Sequence, residues 1–246
     1  MSSYTFILIH SPLVGPYTWR PVANVLQARG HTAIVPKLLD NPHATNPYWQ
    51  QEVASVIDQL DVQTLQAPVI LVAHSGAGVL LPAIRHAINH PISLCIFVDA
   101  GLPPEHSQSR LDTMHAEDSA WASALELELM AGTRYPDWTD SQFQDIIPDA
   151  AVRQRLLSEV QPRDKTFFME RIPVFDGWKA AMCAYLGLSE TYKLYYQEAV
   201  RQGWQTQWIE SSHFYMLVNP STVADVLIGF RACYALWISW FRTAHD

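Results

Sequence analysis

Ser75 and His213 are the side chains whose surroundings in this sequence best suit nucleophilic chemistry. Ser75 stands in Val69-Ile70-Leu71-Val72-Ala73-His74-Ser75-Gly76-Ala77-Gly78, where a short continuous apolar run ends in a serine among small residues and a helical pattern starts at once. A serine on so sharp a strand-to-helix turn is strained and exposed, and side chains two positions away on either side would clash. Ala73 and Ala77 keep both positions small, standing where glycines are more usual. The same stretch also describes a buried strand entering a helix through a Ser-Gly turn, so the reading depends on partners elsewhere in the chain.

An activated serine needs a base within hydrogen-bond reach, and the base needs an acid to orient it. His213, in Glu210-Ser211-Ser212-His213-Phe214, follows the last strand-like run and precedes the last helix. Two acids lie between Ser75 and His213 at the carboxyl ends of strand-like runs, where sites of open α/β sheets form. Asp99 closes Ile92–Val98, and Glu190 follows Leu186-Gly187-Leu188-Ser189. Asp99 could equally cap a turn, and Glu190 could be a helix N-terminal charge favoured by the dipole. Asp99 is slightly preferred, because a carboxylate directly after the apolar run Cys95-Ile96-Phe97-Val98 needs a polar partner.

The elements that would position these groups alternate. Strands are expected at 5–10, 32–35, 69–73, 92–98, 180–186 and 205–209. Helices are expected at 17–29, 49–60, 76–89 and 190–201, with a last one from Pro220 onward. Alternation with short turns implies parallel βαβ units, and strands without apolar/polar alternation imply helices on both faces. The rhythm breaks at Gly101-Leu102-Pro103-Pro104. From there to about Gly177 the pattern is helical and aromatic, with no convincing strand. The fold class read here is α/β, a mostly parallel sheet flanked by helices, with core residues 1–102 and 178–246 and a helical cap at 103–177 inserted after the fourth strand.

These features together resemble the α/β-hydrolase fold, in particular the small members that include hydroxynitrile lyases and plant methylesterases. Ile9-His10-Ser11-Pro12 through Trp19 resembles the family's first-strand loop and first helix. Gly30-His31-Thr32-Ala33-Ile34-Val35-Pro36 resembles the next helix-to-strand passage, Val72–Gly78 the nucleophile elbow, and Ser212-His213-Phe214 the histidine loop. The resemblance covers roughly 4–100 and 180–230. It implies the acid at Glu190, where most members carry it, or at Asp99, where certain haloalkane dehalogenases and lipases do.

The resemblance also implies an oxyanion hole of two backbone N–H groups, one from Gly76 and one from the loop after the first strand. On the simplest alignment the second position is Pro12, which has no N–H. Either Leu13 N–H takes over through a shifted loop, or a side chain such as Ser11 or Tyr17 donates, or the chemistry is not acyl hydrolysis. His74 joins these as a pocket residue beside Ser75. The expected activity is cofactor-free serine hydrolysis of an ester or similar acyl bond in a small hydrophobic or aromatic substrate. A lyase or cyclase using the same serine and histidine as acid and base is the alternative, and a non-catalytic ligand-binding receptor a third class.

The nine apolar residues Trp121, Met130, Tyr135, Trp138, Phe143, Phe167, Phe168, Met169 and Trp178 are expected to divide, about a third roofing a pocket and the rest forming the cap's own core. Glu170 and Arg171 read as a solvated pair. The last segment, Arg231 to Phe241, is apolar nearly all round, which suits packing against the body or a homodimer interface.

Composition narrows the remaining classes. A net charge of −8 over 246 residues argues against nucleic acid and anionic membranes as partners. No clean apolar run is long enough for a membrane span, and the N-terminus does not read as a signal peptide. Cys95, Cys183 and Cys233 are far apart and read as thiols of a reducing compartment, the cytoplasm. His86 and His90, four apart, lack a carboxylate partner, so no metal is expected, and no phosphate-binding loop calls for a nucleotide.

Overall fold

The computed structural model describes residues 3–230, except 61–64, 66–67, 176 and 179–181. Its centre is a six-stranded sheet in the order β2-β1-β3-β4-β7-β8, with every pairing parallel. The strands are β1 (Thr5–Ile9), β2 (Thr32–Ile34), β3 (Val69–Ser75), β4 (Ile92–Ala100), β7 (Met182–Gly187) and β8 (Gln205–Trp208). The helices of this body are α1 (Arg20–Ala28), α2 (Tyr48–Asp58), α3 (Leu81–Ala87), α8 (Lys193–Arg201), α9 (Tyr215–Val218) and α10 over 220–230. This is the α/β-hydrolase fold.

Both faces of the sheet are buried, which is why its strands read as unbroken apolar runs. Successive side chains still alternate between faces. Phe6, Leu8, Ile70, Val72, Leu94 and Ile96 enter one core, with Trp19 and Leu26 of the α1 side. Ile7, Ile9, Leu71, Ala73, Cys95 and Phe97 enter the other, with Val53, Val56 and Ile84 from α2 and α3. Cys95 and Cys183 are buried in β4 and β7, and burial pushes the Cys95 thiol up to about 12.

The sheet order reverses beside β1, so the loops after β1 and β3 leave a crevice at the carboxyl edge, where α/β sheets bind ligands. The chain between β4 and β7 lies over that edge. It contains α4 (Arg110–Glu117), α5 (Ser119–Met130), α6 (Ala150–Leu157) and α7 (Lys165–Met169). Contrary to expectation it also holds two short strands, β5 (Gln108–Ser109) and β6 (Arg171–Ile172), paired antiparallel. Two-residue strands leave no periodicity for a sequence pattern to register.

Other boundaries shift locally. The expected helix from Gly76 resolves into a 3-10 turn at Gly78–Leu80 followed by α3, with Pro82 in its first turn. Gly78 is required there by close approach, since a Cβ would run into the carbonyl oxygen of Gly101. The apolar segment from Arg231, with its dimer reading, and Cys233 lie outside the described residues. Among the described residues, no helix is long and apolar enough to cross a membrane.

Candidate active site

Ser75 ends β3 with φ 57°, a left-handed backbone uncommon for any residue but glycine. Ala73 and Ala77 are both fully buried beside it, where larger side chains would have no room. The Ser75 hydroxyl is 3.0 Å from the Tyr192 hydroxyl. No hydrogen bond joins Ser75 to His213 among the described residues, and such bonds are often long before substrate binds.

His213 Nδ1–H donates to Asp99 Oδ2 at 2.7 Å. Its ring is stacked on Tyr192, with centroids 4.9 Å apart and planes 4° apart, and meets His74 on another side at 4.4 Å. The imidazole is therefore fixed in orientation, with Nε2 left as its free nitrogen. His74 donates from Nε2 to the His213 carbonyl at 3.0 Å. Burial, with the nearby His213, holds His74 well below the ordinary histidine range, so it stays a neutral prop.

Asp99 has no exposed surface. It is an extra residue in β4: His74 pairs with Val98 and Ser75 with Ala100, which leaves Asp99 bulged out with φ 44°. Its carboxylate accepts from Leu188 N–H at 2.9 Å, Ser189 N–H at 3.0 Å and the Ser189 hydroxyl at 2.6 Å, besides His213. Burial alone would raise its pKa, but the bonds from His213, Ser189 and Leu188 outweigh that and hold it below the usual carboxylate value. Tyr185, within β7, ties the end of the bulge by donating to Ala100 O at 2.8 Å and accepting from Ala100 N at 3.0 Å.

Glu190 does not reach His213. Its side chain is 73% exposed and bound to Lys193 Nζ at 2.8 and 2.9 Å. An exposed carboxylate next to a lysine is a solvated pair of little energetic weight. Of the two acids open from sequence, geometry brings only Asp99 to the histidine.

The loop after β1 brings Ser11, Pro12, Leu13 and Val14 to the cavity wall beside Gly76. Leu13 N–H turns back toward Ser11 Oγ at 3.4 Å. Gly76 N–H has no hydrogen bond among the described residues, and a Cβ on Gly76 would lie 3.6 Å from Ser11 Oγ. Tyr17 does not reach the cavity: its N–H donates to Glu159 at 2.8 Å and its ring lies under Arg155. The tyrosine that does reach Ser75 is Tyr192, in the 3-10 turn Glu190–Tyr192 before α8. A tyrosine in an amphipathic helix start carries no sequence sign of such a role. His10, buried and lowered to about 4 by desolvation, braces the loop by donating to Ser11 O at 2.8 Å and accepting from Leu38 N–H at 3.1 Å.

The cavity encloses about 570 Å³. Trp121, Tyr135, Trp138, Phe167 and Phe168 line it, more of the cap's aromatics than the third expected. Phe143 and Trp178 join the body's cores, while Met130 and Met169 are exposed. Charged residues anchor this roof. Arg110 at the start of α4 donates to Glu52 of α2 at 2.6 Å and to Glu170 at 2.8 Å. Glu170 also accepts from Tyr48 and Trp49 N–H, so it is a largely buried partner of Arg110 rather than a solvated partner of Arg171. Arg163 donates to Asp40 at 2.6 Å and to Pro12 O at 3.1 Å, tying the β1 loop to the cap.

Among the described residues no cluster of histidine, cysteine and carboxylate side chains could hold a metal ion. The sequence profile of the alpha/beta hydrolase family matches residues 6–226. Curated protein sequences give no match. Solved structures do. An extracellular alpha/beta-hydrolase from a Paenibacillus species, described as sharing structural and functional homology with tobacco salicylic acid binding protein 2, is 20% identical with a TM-score of 0.73, covering 92% of this chain and 98% of its own. Polyneuridine aldehyde esterase is 14% identical with a TM-score of 0.69, covering 94% and 100%. Tomato methylketone synthase I, solved with 2-tridecanone, is 14% identical with a TM-score of 0.67, covering 95% and 100%. The fold, the strained serine turn and a family match spanning nearly the whole chain place this protein in the alpha/beta hydrolase family.

Proposed function

We propose that the protein is a cofactor-free serine hydrolase that cleaves an ester or similar acyl bond of a small hydrophobic substrate. The observation that carries this reading is the bond from His213 Nδ1–H to the buried carboxylate of Asp99, which leaves Nε2 as the basic nitrogen of a histidine that lines the same cavity as the strained Ser75. Ser75 Oγ attacks the carbonyl carbon as its proton passes to His213 Nε2. The tetrahedral intermediate collapses, and the alcohol leaves with that proton. Water, deprotonated by the same nitrogen, then releases the acid and restores Ser75. Asp99 stabilises the imidazolium without being protonated. Gly76 N–H supplies one oxyanion donor, and the Tyr192 hydroxyl is the side-chain candidate for the second.

Residues 103–177 act as the cap in this reading, sheltering the substrate from water. A cytoplasmic location belongs to this reading, and the buried thiol of Cys95 supports it.

Two observations favour a lyase or cyclase reading. Pro12 lacks the N–H of an ordinary oxyanion loop, and the Ser75 hydroxyl is bonded to a phenol rather than to the base. The test is exposure to a fluorophosphonate and to p-nitrophenyl esters of short acids. Covalent labelling of Ser75 and a pre-steady-state burst are expected. Turnover of a carbonyl substrate without serine labelling would transfer the assignment to acid–base chemistry, and binding without turnover to a receptor.

A further inference from the structure

Glu117, the last residue of α4, faces the same cavity as Ser75. Nothing in the triad uses it. It lines that cavity together with Tyr192 and His213. Burial raises it above the usual carboxylate range despite the nearby Tyr195 and histidine. Such a carboxylate is short of compensation.

The cavity it lines is also aromatic. Trp121 of α5 meets Tyr135 edge-to-face with centroids 5.7 Å apart, and Tyr135 meets Trp138 at 6.1 Å. A partly buried carboxylate and aromatic rings lining one cavity form a setting that attracts an organic cation, through the ring faces and the charge together. The rest of the charged lining agrees. Glu190 is paired with Lys193, and Arg110, the basic residue of the described wall, with Glu52 and Glu170, which leaves Glu117 and Asp118 as the wall's carboxylates without an ion pair among the described residues. The field inside the cavity therefore favours cations and disfavours free acids and phosphates.

We infer that Glu117, with Trp121 and Tyr135, forms a subsite for a positively charged nitrogen, so that the preferred substrates are esters carrying an amine or quaternary ammonium group. This rests on the ester-hydrolase reading above and narrows its substrate class.

The experiment compares phenylacetylcholine with its uncharged carbon isostere, 3,3-dimethylbutyl phenylacetate. The two differ by a positive nitrogen in place of a carbon. Wild-type kcat/KM should favour the cationic ester by about tenfold or more, and Glu117→Gln should bring the ratio close to one. A wild-type ratio near or below one overturns the inference while leaving ester hydrolysis intact, as does a loss in Glu117→Gln that is equal for both esters. Calorimetric titration of both esters into Ser75→Ala separates the two claims. Tighter binding of the cationic ester with no turnover by wild type would sustain the subsite and overturn the hydrolase reading. Equal binding of the two would overturn the subsite.

Discussion

Ser75 and Asp99 face each other across one irregularity in the sheet, and among the described residues they are the only non-glycine positions with left-handed backbone. The register between β3 and β4 slips by one residue after His74 and Val98. That slip lifts Ser75 onto its turn and ejects Asp99 toward His213. Strain of this kind costs on the order of 1–3 kcal/mol per residue and persists where the surroundings over-determine it. Here the surroundings are the donors around the Asp99 carboxylate and the Tyr185 bonds to Ala100.

Asp99→Asn separates chemistry from folding at this slip. Asparagine tolerates the left-handed region as well as aspartate does. Its amide, however, would face His213 Nδ1 with a donor and turn the imidazole to the wrong tautomer. Esterase kcat should fall by on the order of ten-thousandfold, by analogy with other triads. Glu190→Gln, which alters an exposed pair with Lys193, should stay within about twofold. Similar, mild losses in both variants would remove Asp99 from the triad.

The same carboxylate predicts a pH dependence of stability. Asp99 is held below its ordinary value of 3.8 in the folded protein. It therefore adds stability that is fully present above that value and is lost as pH falls through the folded pKa. In urea denaturation, the stability difference between wild type and Asp99→Asn should be constant from pH 7 to pH 5 and shrink below about pH 4. A difference that grows on acidification would contradict the sign.

Arg110 gives a prediction of the opposite sign. It neutralises Glu52, which is fully buried and whose pKa burial raises to about 7 even with the arginine present. Arg110→Ala leaves that acid unpartnered and should cost about 3–5 kcal/mol at neutral pH. Because the raised pKa favours the protonated acid in the folded state, its stabilising contribution is full below the ordinary carboxylate range and lost as pH rises through the folded value. Arg110→Ala should accordingly be less destabilised at pH 5 than at pH 8 by chemical denaturation. Equal losses at both would mean that Glu52 stays ionised throughout.

What the sequence made legible follows from what it encodes locally. The strands, the serine turn and the histidine after β8 depend on contiguous apolar runs and small residues, and these leave marks in order along the chain. The choice between Asp99 and Glu190 did not, because both follow a strand and only the bulge in β4 aims one of them. Tyr192 and Glu117 were invisible for a related reason. Each sits on an ordinary helical stretch, and its role comes from the approach of elements far apart in sequence. The pairing of Glu170 with Arg110 across 60 positions is of the same kind.

The last prediction concerns the second oxyanion donor. Pro12 cannot donate, Leu13 N–H is turned toward Ser11, and the hydroxyl placed at Ser75 belongs to Tyr192. If Tyr192 supplies the donor, Tyr192→Phe keeps the ring stacked on His213 and removes only the hydroxyl. Removing one such donor costs on the order of 10²–10³ in kcat. KM should change little, since the loss falls on the transition state. Pro12→Ala in the wild-type background should alter the rate only modestly, because the hole is already complete. Pro12→Ala in the Tyr192→Phe background should recover part of the lost rate, by restoring an N–H on the β1 loop. The measurement is p-nitrophenyl ester turnover in the four proteins of this cycle. Full activity in Tyr192→Phe would exclude the phenol from the oxyanion hole. A large gain from Pro12→Ala alone would show instead that the natural loop is short of a donor, and would favour the acid–base reading of Ser75 and His213.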